Sequence, residues 1–321
     1  MKERLVSAIY FTFKRAILLD ASLESIYKNF KNLYKKIDII YHFKQEHDQS
    51  YKYLINKYSK KNLKFIRRSK KNLFNNKIFF LLRPLNLLWM LRWRSIYNDF
   101  NNFKYLLENI LKNIKTDFVM FVPDDQIFYK ETYIPNKVFD LILENKYQTY
   151  YRFFTGDHFV GKNSLPKKMN VEQFTDQGID FFRWSNKDVH AKYLWNYRFT
   201  IEGTVFHKDA LIKLLKPMLY HNPITLEAVG LWESRFRNFF EYGISSNHRS
   251  AASYNINNVQ NLVNTPNSSY DPDKLMELYM RGYRIFYKHS DFDIKKLDIV
   301  PKNLLLKKLD NKSIIKYKDL L

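Results

Sequence analysis

Short apolar runs alternate with longer segments of helical pattern along the first part of the chain. Residues 5–12, 37–43 and 62–66 are short, apolar and rich in β-branched or aromatic side chains, which predicts buried strands. Residues 13–30 place their apolar side chains on one stripe at helical spacing, and residues 48–58 are predicted to form a second helix. Strands and helices that alternate at this pace predict a parallel sheet with right-handed crossovers.

The strongest strand signal lies at residues 117–122, a continuous apolar run of the kind found in a central parallel strand. A mostly helical stretch at 73–115, broken at Pro84, precedes it, and its last part at 98–114 is predicted to be an amphipathic helix. The apolar run ends abruptly at Pro123-Asp-Asp-Gln126. These polar residues are therefore expected at the carboxyl edge of the sheet.

The second half of the chain has a more mixed pattern, with an aromatic cluster and polar loops between residues 147 and 204. Pro217 and Asn222-Pro223 mark helix boundaries, because proline ends a helix or occupies its first turn. Thr225 is the predicted N-cap of the helix that follows. The predicted elements are a strand at 199–206, helices at 208–215 and 225–242, a polar loop at 245–264 and a late helix at 271–283.

The composition is that of a folded protein, since 45% of the residues are hydrophobic and there are only seven glycines and nine prolines. No cysteine is present, which excludes disulfides, thiolate metal sites and a cysteine nucleophile and fits a reducing compartment. The first residues lack the apolar region of a signal peptide. We therefore expect a cytoplasmic protein.

The charge is strongly positive, with 54 lysines and arginines against 32 acidic residues and a net charge of +22. Such a field attracts polyanions, among them nucleic acid, anionic lipid and nucleotide diphosphates. The chain is also rich in residues that AT-rich codons favour, so genomic drift explains part of the excess. The basic residues are scattered rather than clustered with aromatics on one element, which argues against a nucleic-acid-binding module.

The longest apolar stretch, residues 78–93, is interrupted by Arg83, Pro84 and Arg92 and is shorter than the roughly 20 apolar residues of a membrane-spanning helix. With its basic flanks it fits either an interfacial segment on an anionic membrane or a buried helix pair. The basic run at 67–71 is expected to be a solvated face, with phosphate or headgroup contact as the alternative.

Asp124 and Asp125 are adjacent carboxylates directly beyond the predicted central strand. Ligands of open parallel sheets bind at this edge. Paired carboxylates can hold a divalent cation against the phosphates of a diphosphate substrate. A solvated Asp-Asp turn is the alternative, because aspartate favours turns.

Several motifs together resemble the glycosyltransferase-A fold, in particular the large bacterial group of family-2-like sugar transferases of the surface-polysaccharide type. The motifs are FTFKR at 11–15 followed by Leu18 and LESI at 23–26, KTDFVMFVPDD at 115–125, IEGTVF at 201–206, NPITLE at 222–227 and YMRGY at 279–283. The resemblance implies an α/β fold, Rossmann-like, with a mixed, mainly parallel sheet flanked by helices. It also implies one domain over 1–321, with a nucleotide-sugar-binding half at about 1–125. The half at about 126–321 would bind the acceptor and end in C-terminal helices.

Carried over residue by residue, the resemblance puts Thr12 and Arg15 near the nucleotide. It puts Asp124 and Asp125 at the diphosphate, with Asp125 as a ligand of a divalent Mn or Mg ion. Gln126 stands at the usual third acidic position and is a poorer metal ligand, which leaves metal dependence open. Tyr41-His-Phe43 replaces the carboxylate that often binds the nucleoside, and aromatic stacking on the base is the expected substitute.

Glu227 is the candidate general base of an inverting transfer, in which a carboxylate takes the proton of the acceptor hydroxyl as it attacks the anomeric carbon. It lies in the first turn of a predicted helix, where stabilisation of the helix dipole is the alternative role. Glu233 and Asp157 are reserve candidates. His248 is a candidate late metal or phosphate ligand, although a solvated loop histidine is the commoner case.

The expected function is transfer of a sugar from a nucleotide-sugar donor to a glycan or lipid-linked acceptor, with no nucleic-acid partner. The enzyme is expected in the cytoplasm, peripherally attached to the inner, anionic face of the membrane. A nucleotidyltransferase is one alternative, but the chain has no glycine before Gly156 to form an N-terminal phosphate loop. A basic nucleic-acid-binding protein without catalysis is the other, and displacement of the aspartates from any cleft would favour it.

Overall fold

The chain folds around a large central sheet in a computed structural model that describes residues 3–42, 45–68, 103–156, 164–256, 270–292, 298–299, 301, 303–310 and 312–320. The described strands are β1 (Val6–Phe13), β2 (Ile37–His42), β3 (Leu63–Arg67), β4 (Phe118–Pro123), β5 (Gln126–Phe128), β6 (Thr149–Arg152), β7 (Val171–Asp176), β8 (Ile179–Ser185), β9 (Thr204–His207), β10 (Tyr242–Ser246), β11 (Ala251–Tyr254), β12 (Tyr283–Phe286), β13 (Asp298–Ile299), β14 (Leu305–Lys308) and β15 (Ile314–Lys316).

The described helices lie between these strands and cover both faces of the sheet. They are α1 (Ala16–Asn29), α2 (Asp48–Lys57), α3 (Phe103–Asn113), α4 (Asn136–Glu144), α5 (Lys208–Leu215), α6 (Pro223–Phe236) and α7 (Pro272–Met280). None of the helices in the described part of the chain is long and apolar enough to cross a membrane.

Nine of the described strands form the central sheet, in the order β3-β2-β1-β4-β9-β6-β10-β8-β7. The pairings within β3-β2-β1-β4 and between β6 and β10 are parallel, and those that involve β9 or β8 are antiparallel. Seven strands therefore point one way, and only β9 and β8 oppose them. This confirms the predicted α/β fold with a mixed, mainly parallel sheet flanked by helices.

The central strands are buried on both faces, because side chains alternate between two apolar layers. Ala8 and Tyr10 of β1 belong to one layer, which is covered by α1, α2, α4 and α7, whereas Ile9 and Phe11 belong to the other, covered by α3, α5 and α6. Such burial explains why β1 and β4 read as continuous apolar runs.

Four predictions in the second half were wrong in extent, and one of them is the late helix predicted at 271–283, which ends at Met280 because Tyr283 begins β12. The strand predicted at 199–206 begins only at Thr204, and Gly203 before it has a positive φ of 49°. The helix predicted at 225–242 spans Pro223–Phe236, and Tyr242 already begins β10. The loop predicted at 245–264 contains the end of β10 and all of β11, while residues 257–264 lie outside the described residues.

The start of α6 also differs from the prediction. Asn222, not Thr225, is the N-cap: its side chain accepts from the Thr225 amide at 2.8 Å, and the Thr225 hydroxyl accepts from the Asn222 amide at 3.1 Å. This reciprocal capping box satisfies two amides that the first turn leaves without helical partners. It fixes the direction in which α6 leaves the preceding loop.

The helices in the described C-terminal part are α7 and two short 3₁₀ helices, His289–Phe292 and Tyr317–Leu320, and strands lie between them. β12, β14 and β15 form a small antiparallel sheet. A buried ion-pair network ties it to the N-terminal half: Asp20 of α1 lies 3.0 Å from the Arg284 guanidinium of β12 and 2.6 Å from the Lys57 ammonium of α2. The Tyr279 hydroxyl of α7 donates to the same carboxylate at 3.1 Å.

Candidate functional site

The carboxyl ends of β1 and β4 lie side by side at one edge of the sheet. The two strands pair in parallel with Phe11 opposite Pro123. Thr12 and the loop into α1 therefore face Asp124 and Asp125, which follow β4. This is the edge at which ligands of open parallel sheets bind.

Arg15 joins the two aspartates. Its Nη1 lies 3.1 Å from Asp124 Oδ1 and 2.8 Å from Asp125 Oδ2. The Phe13 amide donates to the other oxygen of Asp124 at 3.3 Å. Lys14, between them, has a positive φ of 57°, an uncommon conformation for a lysine. The loop after β1 is thus bent so that the Arg15 side chain and the Phe13 amide meet the same carboxylate.

Tyr51 of α2 holds this loop from the other side. Its hydroxyl lies 2.8 Å from the Thr12 hydroxyl and accepts from the Arg15 amide at 3.3 Å. Tyr51 is 1% exposed, so these bonds are shielded from water. Thr12 and Arg15, both predicted to lie near the nucleotide, are brought together with the aspartates. Sequence reasoning missed Tyr51, since a tyrosine on the buried stripe of a helix gives no separate signal.

Burial and the neighbouring charges shift the pKa values of Asp124 and Arg15. Burial raises the pKa of Asp124 from 3.8 to about 6, helped by the charge of Asp125 and opposed by Arg15 and Thr12. For Arg15, burial alone lowers the pKa, but the two carboxylates together raise it. The site therefore holds one guanidinium between two carboxylates with little water around them, an arrangement whose excess negative charge favours binding of a further cation.

The pair fits a divalent metal of the Mg or Mn type, because such ions bind through one or two carboxylates and complete their shell with water and substrate phosphates. Asp124 Oδ1 and Asp125 Oδ2 converge on one point, which the Arg15 Nη1 contacts. No cluster of three or more histidine, aspartate or glutamate ligands occurs in the described ranges. A metal here would thus compete with Arg15 for the two oxygens.

Gln126, at the third position of the acidic motif, points away from solvent. It is fully buried, and neither its side-chain oxygen nor its nitrogen has a hydrogen-bond partner among the described residues. Its amide packs against Gly203, where any Cβ would overlap with it. Gln126 therefore supports the loop before β9 and offers no exposed ligand atom.

Aromatic rings line the edge beside β2. The Phe13 ring stacks on His42 at 5.5 Å with an interplanar angle of 12°, and Tyr41 stacks on Tyr51 at 5.3 Å. Phe13, Tyr41 and His42 are half-buried. The third residue of the predicted aromatic substitute, Phe43, lies outside the described residues.

Glu227 lies on the first turns of α6, half-buried, against the loop that precedes β9. Burial raises the pKa of its carboxyl, while hydrogen bonds from the Thr200 hydroxyl and the Ile201 amide and the charge of Arg152 oppose the shift. The same loop continues to Gly203, which packs on Gln126 next to Asp125. The structure thus connects Glu227 to the loop that borders the aspartates.

Arg152, at the carboxyl end of β6, is a second residue that sequence reasoning missed. It is fully buried, its Nη1 donates to the Leu194 carbonyl at 2.9 Å, and its guanidinium stacks on Tyr150 at 4.6 Å. Burial lowers the pKa of Arg152, and Glu227 is among the groups that oppose this change. An arginine within an otherwise aromatic run, residues 150–154, was the available signal.

The reserve candidates are less well placed. Glu233 is 1% exposed within α6, which leaves its carboxyl almost no surface for an acceptor. His248 is exposed in the turn between β10 and β11, and its carbonyl accepts from the Ser246 hydroxyl at 2.6 Å. Asp157 lies outside the described residues.

No protein-family model matches the chain, and neither does any curated protein sequence. Among solved structures, that of S. aureus TarS 1-349 is similar at 14% identity over 78% of this chain and 60% of that chain, with a TM-score of 0.42. The same protein in complex with UDP-GlcNAc matches at 14% identity over 75% and 58%, with a TM-score of 0.36. The apo structure of the WbbM bifunctional glycosyltransferase matches at 14% identity over 74% and 38%, with a TM-score of 0.34. The chain spans less than two thirds of each of these proteins.

Proposed function

We propose that this protein is a glycosyltransferase that uses a nucleotide-diphosphate sugar as donor. The observation that carries the proposal is the cluster of Asp124, Asp125 and Arg15 at the carboxyl edge of a mainly parallel sheet. A diphosphate there meets both a guanidinium, which suits phosphate geometry, and carboxylates that hold a bridging cation. The stacked rings of Phe13 and His42 offer an apolar face for the base of the nucleotide.

The reaction is proposed to be an inverting transfer with Glu227 as the base. The acceptor hydroxyl oxygen forms a bond to the anomeric carbon, and the bond from that carbon to the diphosphate oxygen breaks with its electron pair. Glu227 takes the hydroxyl proton, and the nucleoside diphosphate leaves. The raised pKa of Glu227, due first to burial, suits a base that must hold a proton once it has received it.

A divalent metal is proposed to assist this site, held by Asp125 together with Asp124. When bound, it would neutralise the charge that develops on the leaving diphosphate. Arg15 is proposed to turn from the carboxylates toward the phosphates of the donor, because a cation on the aspartates would displace its guanidinium. The protein then presents two positive centres to the diphosphate.

The acceptor is proposed to be a glycan or lipid-linked glycan of surface-polysaccharide synthesis, as in the family-2-like group that the motifs resemble. Peripheral attachment to the inner face of the membrane, in the cytoplasm, would present such an acceptor. The segment proposed to make this attachment, residues 78–94, lies outside the described residues. The net charge of +22 supports attraction to anionic lipid.

A screen of nucleotide sugars tests the proposed function. The full-length protein is incubated with each donor, with and without Mn²⁺, and release of the nucleoside diphosphate is measured. We expect slow hydrolysis of one donor or a small group of donors, stimulated by the metal. Absence of turnover and of saturable binding with every donor would overturn the proposal.

A further inference from the structure

A second polar pocket lies at the opposite end of the sheet from the aspartates. It is open, has a volume of about 640 Å³, and is lined in part by residues 186–188, which follow β8. At the end of β8, Ser185 pairs with Tyr242, the first residue of β10, so the pocket lies where β10 begins. β10 is parallel to β6, and both β6 and β4 are antiparallel to β9, so β10 and β4 run in the same direction. The pocket is therefore at the edge of the sheet where β4 begins. Asp124 and Asp125 lie where β4 ends.

Arg198 is the most unusual residue of this pocket. It is only 6% exposed, and its Nε and Nη1 are shielded from the pocket and have no hydrogen-bond partner in the part of the chain that the structure describes, so only its Nη2 can meet a ligand. Burial lowers its pKa, the charge of Arg235 lowers it further, and Glu241 opposes the shift. A buried guanidinium with donors left over is costly unless something pairs with it.

The other charged groups around the pocket leave a positive balance. Arg235 and Lys187 line it with Arg198, against one lining carboxylate, Asp188. The Asp188 oxygens accept from the amides of Asn170 and His190 at 2.9 and 2.8 Å. Glu241 pairs with the Lys187 ammonium at 2.6 Å and also acts on Arg198, so once Lys187 and Glu241 are taken as cancelling, Arg198 and Arg235 face one carboxylate, Asp188.

We propose that this pocket is a second ligand site, which binds a phosphate group between the Arg198 and Arg235 guanidinium groups. Phosphate oxygens match the geometry of guanidinium donors and carry the charge that two neighbouring arginines require. The Nη2 of Arg235 is held in place by the Asn196 carbonyl at 2.9 Å, which positions this arginine at the pocket. The site is separate from the proposed donor site, and its test does not depend on glycosyl transfer.

Calorimetric titration of the full-length protein with inorganic phosphate, at constant ionic strength set by chloride, tests the proposal. We expect saturable binding that Arg198→Met weakens about tenfold or more, because a charge-assisted hydrogen bond to a buried group is lost. Arg235→Met, at an exposed position, should weaken binding in the same direction with no effect on folding. Arg4→Met removes the same charge at a distant ion pair with Asp140 and should bind phosphate like the wild type.

The melting temperature of the ligand-free variants provides a second measurement. Arg198→Met should melt at or above the wild-type temperature, since it removes a buried guanidinium whose Nε and Nη1 have no partner among the described residues. Phosphate should raise the melting temperature of the wild type and of Arg4→Met but not of Arg198→Met. Equal phosphate binding by all four proteins, or none by the wild type, would overturn the proposal.

The phosphate group could belong to a soluble molecule or to a lipid headgroup, and vesicles separate the two sources. Co-sedimentation is measured with phosphatidylglycerol vesicles, with phosphatidylcholine vesicles as the reference. A loss of phosphatidylglycerol binding in Arg198→Met that Arg4→Met does not show assigns the site to a headgroup. Unchanged vesicle binding, together with the lost phosphate binding, assigns it to a soluble phosphate-bearing ligand.

Discussion

Asp124 is the residue at which stability and the proposed function conflict. Its pKa lies at about 6 in the folded protein, against 3.8 ordinarily, because burial outweighs the help of Arg15. The folded state therefore holds the proton more tightly than the unfolded chain does. This contribution to stability is complete below pH 3.8 and is lost as the pH rises through about 6. Above that pH the ionised carboxylate costs folding free energy and becomes able to hold a cation.

Asp124→Asn should therefore stabilise the ligand-free protein at neutral pH. We expect a higher free energy of unfolding at pH 7.5, by about 1–3 kcal/mol, because the neutral amide removes the buried charge. The gain should vanish near pH 4, where the wild-type carboxyl is largely protonated. Denaturant unfolding at both pH values measures this, with the exposed Asp140→Asn as control. A destabilised variant at pH 7.5 would contradict the interpretation.

Glu227 gives a prediction about turnover rather than stability. Glu227→Gln keeps the size and most hydrogen bonds of the side chain but removes its basicity, so transfer should fall by about a hundredfold or more while donor binding persists. Glu233→Gln, on the same helix but almost fully buried, is the matched control and should keep its turnover. If Glu233→Gln abolishes transfer and Glu227→Gln does not, the base has been assigned to the wrong residue.

At the scale of elements, the first half was predictable because its strands are buried on both faces. β1, β2, β3 and β4 appear as apolar runs, and their predicted bounds differ from the observed ones by at most one residue at each end. The edge position of Asp124 and Asp125 followed from this. The salt bridge from Arg15 did not, because it depends on the bend at Lys14, which no sequence pattern signals.

The second half was harder to predict because its strands are short and use polar residues. β10 and β11 contain serines whose polar groups are satisfied inside the fold: the Ser245 hydroxyl donates to the Arg152 carbonyl at 3.0 Å. The run at 199–206 is apolar enough for a strand, but the positive φ of Gly203 and its close packing on Gln126 confine the strand to Thr204–His207.

The second pocket was not predicted from the sequence, because Asn186, Arg198 and Arg235 are far apart in the chain and come together only in the fold.

The network of Asp20, Lys57, Tyr279 and Arg284 is expected to hold α7 and β12 on the N-terminal half. Arg284→Met removes the guanidinium whose Nε lies 3.0 Å from the Asp20 carboxylate. The side chains of Arg284 and Asp20 are both less than 10% exposed. We expect a loss of about 3 kcal/mol in the free energy of unfolding, the lower end of the range for breaking a buried ion pair, because Lys57 still pairs with Asp20. Arg281→Met is the control, because its ion pair with Glu277 is exposed and screened by solvent and should contribute little to stability. Equal effects of the two substitutions would show that the network does not join the two parts.

At the scale of the whole molecule, the net charge of +22 predicts attachment to anionic membranes. We expect the protein to sediment with phosphatidylglycerol vesicles at low salt and to be released as the ionic strength rises, since electrostatic attraction is screened. Phosphatidylcholine vesicles, whose headgroup is zwitterionic with no net charge, serve as the control. A protein that stays in the supernatant with both kinds of vesicle at low salt would show that residues 78–94 are not an interfacial segment.

The most direct test of the proposed donor site is the rate of Asp125→Ala in the donor-hydrolysis or transfer assay. Asp140→Ala is the control, because this exposed aspartate pairs with Arg4 far from the site. If Asp125 holds the cation and diphosphate, its loss should reduce the rate by on the order of a hundredfold or more, with the fold intact by circular dichroism. Asp140→Ala should turn over like the wild type. Undiminished transfer by Asp125→Ala would contradict the account.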